Sequence, residues 1–142
     1  MDISDSNNWL DIYGLTRLPR KNGSWSGKAG DSIWNSTNPK VIAITGGEGI
    51  VFQNGYPNFD KWSKGNMDFD NLTGTNKDFE LVYERLKNDM NLKSKAEAKR
   101  FLQQNGLTPH HHENMKTIQL IPTDLNANIP HEGGASRIRN KH

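Results

Sequence analysis

At 142 residues, with 32% hydrophobic and 24% charged residues and a formal net charge of +2, the chain is sized for one domain with a real core and is short for two. Four Trp, three Tyr and five Phe supply large side chains that favour a small, loop-rich fold over disorder. The absence of cysteine excludes a disulfide framework, a thiolate zinc site and a cysteine nucleophile, so any metal must sit on His, Asn, Asp or Glu.

The start MDISDSNNWLDIYG has neither a basic n-region nor an apolar h-region, and no apolar stretch is long enough to span a bilayer. The chain is expected either to work where it is made or to be a piece of a larger protein that supplied delivery. Charge is unevenly spread. Asp2, Asp5 and Asp11 stand unopposed over 1–13, while Arg17, Arg20, Lys21, Lys28 and Lys40 outnumber Asp31 over 14–40, and Lys93, Lys95, Lys99 and Arg100 outnumber Glu97 over 92–106. Basic residues interleaved with Trp25 and Trp34 suit a phosphate backbone; on charge alone an ordinary mixed-charge surface is an equal explanation.

Residues 14–40 are crowded with Gly, Ser, Asn and Pro, which predicts turns and irregular structure with Trp25 and Trp34 pinning the segment down. The run VIAI at 41–44, ended by TGGEG, fits a buried strand or a helical turn. Asn54-Gly55 signals a turn, and Phe52, Tyr56, Phe59 and Trp62 form an aromatic cluster expected in the core. Phe79, Val82, Tyr83, Leu86 and Met90 lie on one stripe at helical spacing, which predicts a helix over 77–90 capped by Thr75 or Asn76. A second helix is predicted over about 95–105, with Ser94 and Glu97 as a capping box and Gly106 at its C′ position.

After Gly106 the pattern changes to LTPHHHENMKTIQLIPTDLNANIPH. Leu107-Thr108-Pro109 blocks helix continuation, His110–His112 are predicted extended, Glu113–Lys116 can turn, Thr117–Ile121 is β-rich, and Thr123 or Asp124 can cap a short helix through about Asn128. The order is strand, turn, strand, short helix.

No histidine precedes position 110, where three stand in a row, and His131 follows beyond the polar turn. A purification remnant would be longer and terminal. A strand that merely displays surface histidines would put His110 and His112 on one face and His111 on the other. The functional reading divides two jobs between neighbours: one neutral imidazole ligates a metal, while another takes a proton from an attacking water. Asn126 and His131 complete a ligand set drawn from the helix and the loop after it. Such a set without thiolates suits Mg²⁺, Mn²⁺ or Zn²⁺ alike. Other chemistry fits worse: Lys116 occupies the second ligand position of an HExxH motif, TGGEG lacks the Lys-Ser/Thr of a P-loop, and Ser136 has no nucleophile elbow around it.

GLTPHH followed by TIQLIPTDLNANIPHEGGAS resembles the LHH branch of the HNH/endonuclease VII nuclease superfamily, whose members commonly form the C-terminal toxin domains of bacterial polymorphic toxins, of contact-dependent inhibition and LXG type among them. NGSWSGKAGDSIW, ITGGEG and NGYPNFDKWSKG resemble segments that accompany this module. The resemblance implies His110 as a metal ligand, His111 as the general base, and His131 as a ligand or phosphate contact; His112 lies outside the matched pattern and is accessory. Where the family often has His on the helix, this chain has Asn126, an acceptable ligand through its side-chain oxygen, as in the endonuclease VII branch.

The expectation is therefore an α+β fold with a ββα-metal (His-Me finger) motif at about 107–139 on a helical and irregular scaffold, a lead-in segment 1–15 and one nuclease toxin domain over 16–142. Its implied activity is divalent-metal-dependent phosphodiester hydrolysis, DNA favoured over RNA, with Arg17, Arg20, Lys21, Arg137 and Arg139 as candidate phosphate contacts. The resemblance further implies release from a larger secreted toxin, action in the target-cell cytoplasm, and a cognate immunity protein that binds the monomer. The competing expectation, from another class, is a non-catalytic module that binds nucleic acid or protein around a structural metal.

Overall fold

The computed structural model describes residues 17–131 and 133–141, so the lead-in segment 1–15 lies outside the described residues. They divide into two compact units: the chain up to Trp62 together with the segment that starts at Asp124, and Ser63–Thr123 together with the segment that starts at Gly133. Helices and strands are both well represented, as expected of an α+β chain.

In the first unit, β1 (Gly23–Trp25), β2 (Ile33–Ser36), β3 (Ile50–Gln53) and β4 (Tyr56–Pro57) form an antiparallel sheet in sequential order. Two of these strands lie in the stretch expected to be irregular. The correction has a tertiary cause: Trp25 pairs with Trp34 across β1 and β2, their rings 5.2 Å apart, and Phe52 meets Trp25 edge-on at 4.8 Å. Aromatic cross-strand packing outweighs the weak strand propensity of the Gly, Ser and Asn around it. Asn54 and Gly55 take φ of 54° and 84° in the β3–β4 turn, the left-handed pair that a tight hairpin requires.

The run at 41–44 resolves as helix, within α1 (Pro39–Thr45). Asn38 accepts from Lys40 N–H, Pro39 occupies the first turn, and Gly46 closes the helix in the left-handed region at φ 71°. Phe52 and Phe59 are buried as expected, whereas Tyr56 and Trp62 are only half-buried.

In the second unit, β5 (Asn66–Asp68), β6 (Leu107–His111) and β7 (Thr117–Pro122) form an antiparallel sheet with β7 central. Helices α2 (Lys77–Asp89) and α3 (Lys95–Gln104) pack together, and their Val82, Leu86, Ala98 and Leu102 share a core with Met67, Leu72, Ile118, Leu120 and Ile138. Ser94 caps α3 by accepting from Glu97 N–H, while Glu97 turns back to accept from Lys93 N–H, one residue earlier than in the standard capping box. Met90, expected on the core stripe of α2, is 39% exposed because the helix has ended by that residue. Pro122 closes β7, and α4 (Thr123–Asn128) follows directly. The sequence reading identified neither β5 nor α5 (Gly134–Lys141).

Candidate active site

β6 is an edge strand of its sheet, a position that tolerates Pro109 within it. Its register sets His110 opposite Gln119 and His111 opposite Ile118. Alternation along the strand therefore sends the two imidazoles to opposite faces. The surface-display alternative fails here, since His110 and His111 are 7% and 6% exposed.

His111 takes the face shared with the core residue Ile118. Its Nε2 lies 2.8 Å from Asp78 Oδ2, and the Phe79 ring stands 5.7 Å from the imidazole. Asp78 sits in the first turn of α2, where a carboxylate is favoured by the helix dipole, and it is 1% exposed. Its Oδ1 accepts from Thr73 N–H at 2.9 Å and from the Thr73 hydroxyl at 2.8 Å. Its Oδ2 accepts from Gly74 N–H at 2.8 Å. Burial pushes the Asp78 carboxyl upward, but the hydrogen bonds from Thr73 N–H, His111, the Thr73 hydroxyl and Gly74 N–H outweigh it and hold the group below the usual carboxylate range. An ionised carboxylate only accepts, so His111 Nε2 carries the proton in this pair.

The loop that feeds Asp78 is itself anchored. Gly74 has φ 76°, a side chain there would overlap α5 at Ala135 and Arg139, and Arg139 donates to the Gly74 carbonyl at 2.7 Å. The backbone at Gly133 and Gly134 comes close to the end of the strand. A Cβ on Gly133 would stand 3.3 Å from the His111 carbonyl oxygen and 3.6 Å from His110 Cε1, and one on Gly134 would overlap the His112 carbonyl. His112 belongs to the turn: its Nδ1 accepts from Asn114 N–H at 3.0 Å and its N–H donates to the Thr117 carbonyl at 2.8 Å.

Asn126 and His131 belong to the first unit, His110 to the second. Asn126, on α4, keeps a buried Oδ1 that has no hydrogen-bond partner among the described residues. His131 Nδ1 bonds the Ile129 carbonyl; a carbonyl only accepts, so in the neutral ring the lone pair is on Nε2, the tautomer of a ligating histidine with its second nitrogen on a backbone acceptor. The Phe59 ring meets His131 edge-on at 5.2 Å. Among the described residues no three His, Asp or Glu side chains form a metal-binding group. Imidazole nitrogens and an amide oxygen are, as donor types, ones that Mg²⁺, Mn²⁺ or Zn²⁺ accept.

Arg17, Arg20, Lys21, Arg137 and Arg139 are exposed, with Arg139 engaged by the Gly74 carbonyl. The sequence reading missed Asp78. One signal was present: Asp78, Val82 and Leu86 follow one another at four-residue spacing, which puts the carboxylate on the buried stripe.

Among the described residues no helix is long and apolar enough to cross a membrane. The family model described as the DNase/tRNase domain of colicin-like bacteriocin matches residues 49–133. The match takes in β3 through His131 and so includes all four residues read as ligands or base. No curated protein matches the chain.

Proposed function

The chain belongs to the family of DNase/tRNase domains of colicin-like bacteriocins, and from that premise we propose a metal-dependent endonuclease of the LHH type that hydrolyses DNA inside a target bacterial cell. That it is a nuclease toxin domain acting on nucleic acid follows from the family. The finer reading treats residues 16–142 as one nuclease domain, delivered as part of a larger polymorphic toxin and held inactive in the producer as a monomer bound to a cognate immunity protein.

One observation carries the metal dependence: the buried Oδ1 of Asn126, which has no partner among the described residues and is explained by a cation as its missing partner. In this reading His110, Asn126 and His131 hold the ion, and His112 is accessory. A bound Mg²⁺, Mn²⁺ or Zn²⁺ supplies stabilisation of the charge that develops on the leaving oxygen. His111 takes the proton of the attacking water as the water oxygen bonds to phosphorus and the bond to the leaving sugar oxygen breaks. Arg17, Arg20, Lys21, Arg137 and Arg139 contact backbone phosphates.

Two observations favour other readings. The family's description names tRNase as well as DNase, which keeps RNA as the alternative substrate. The burial of His111 against Asp78 suits a structural histidine, as in a binding module. The test incubates the chain with plasmid DNA, total RNA and tRNA, each with Mg²⁺, Mn²⁺, Zn²⁺ or EDTA, alongside His111→Ala. Plasmid cleavage that needs metal and disappears in the variant is expected. Cleavage confined to RNA transfers the reading to an RNase toxin, and intact nucleic acid in every lane from folded protein transfers it to the binding module.

A further inference from the structure

We infer that Asp78 is a positioning residue for His111, holding the imidazole by Nε2 so that Nδ1 is the nitrogen that takes the proton from water. The inference rests on the reading of His111 as the general base. Its own support is geometric and lies within one compact unit. The 2.8 Å contact joins side chains that are 7% and 1% exposed, so solvent competes little for either partner.

The carboxylate is fixed before it meets the ring. Thr73 N–H, the Thr73 hydroxyl and Gly74 N–H hold both its oxygens, and the helix that carries it adds the positive end of its dipole. Three local donors already hydrogen-bond both oxygens of the buried carboxylate, so His111 is one partner among several and not the group that holds Asp78 in place. Conversely, a core position opposite Ile118 would be filled more cheaply by an apolar residue than by an imidazole that needs a buried acceptor. A polar pair placed where packing alone favours neither member points to a use for the ring's orientation. The Phe79 ring stands beside the imidazole at 5.7 Å between centroids, and the Gly133 backbone lies against the strand at His110 and His111. The result is an imidazole with one nitrogen committed and its plane set, the relation a carboxylate has to a catalytic histidine in a hydrolytic triad.

Two measurements on the full chain test this. Long-range ¹H–¹⁵N correlation of the wild type, with the imidazole neutral, is expected to find the His111 proton on Nε2; a proton on Nδ1 overturns the inference and does not depend on any variant folding. Steady-state cleavage then compares Asp78→Asn and His111→Ala with the wild type. Asp78→Asn should lower kcat by about 10²- to 10⁴-fold with KM within about threefold of wild type. A folded Asp78→Asn protein with wild-type kcat, beside an inactive His111→Ala, overturns the positioning role alone. Wild-type cleavage by His111→Ala defeats the base assignment itself and the inference with it.

Discussion

Asn126 holds a buried amide oxygen without a donor among the described residues, and an unsatisfied buried acceptor costs about 1–3 kcal/mol. Asn126→Leu is therefore expected to raise the melting temperature of the metal-free chain by about 2–4 °C and to abolish the upward shift that the proposed site predicts for the wild type with Mn²⁺ or Zn²⁺. Thermal melts with metal and with EDTA check this, and an undiminished metal shift in the variant would remove Asn126 from the ligand set. Asp78 makes the opposite kind of prediction. Its folded carboxyl titrates below the ordinary range, so its stabilisation is fully present above the unfolded value near about pH 4 and is lost as pH falls through the folded value. Asp78→Ala should cost about 2–4 kcal/mol at pH 7 by stranding the Thr73, Gly74 and His111 donors. That gap should narrow in urea melts as pH drops below about 4; a gap independent of pH would mean that the carboxylate's charge contributes nothing. The histidines were legible as residues because their clustering is a property of the chain, whereas their partners were not: the loop from Thr73 must close before Asp78 has anything to accept.

Among the elements, the edge strand β6 depends on glycines that bring α5 against it. A side chain at Gly134 would overlap the His112 carbonyl, and relieving such a clash costs at the upper end of about 1–3 kcal/mol. Gly106 also has a positive φ, 61°, but nothing lies within 4 Å of a Cβ there, so only the left-handed conformation penalises a side chain, by about 1 kcal/mol. Gly134→Ala is thus expected to destabilise the chain two- to threefold more than Gly106→Ala in denaturant titrations; equal losses would show that the α5 approach is not tight. Helices α2 and α3 could be read in advance because a 3.6-residue stripe and a capping serine are local features. Strands β1 and β2 could not, because their stability comes from tryptophan rings that meet only after the strands pair.

For the whole molecule, a net charge of +2 is modest for a nucleic-acid enzyme, so binding should rest on local basic groups and not on a global field. With the His111→Ala chain, which the proposed role of His111 makes a non-cleaving probe, affinity for DNA should fall as salt rises from about 50 to 200 mM. Replacing Arg17, Arg20 and Lys21 by alanine should flatten that logarithmic slope by about one for each phosphate contact removed; an unchanged slope would clear that segment of contact with the backbone. The strand, turn, strand and short-helix order from Leu107 to Asn128 was determined by sequence alone, through Pro109, the polar turn, the β-rich run and the capping residues, all of which act within a few residues. Absence of cysteine likewise decided the available donor chemistry without any fold. Only the tertiary structure decided that His111 faces a buried carboxylate and that the Asn126 oxygen has no donor among the described residues. The physical reason is that burial and hydrogen-bond satisfaction are properties of what surrounds a side chain, and for His111 those neighbours lie more than thirty residues away along the chain.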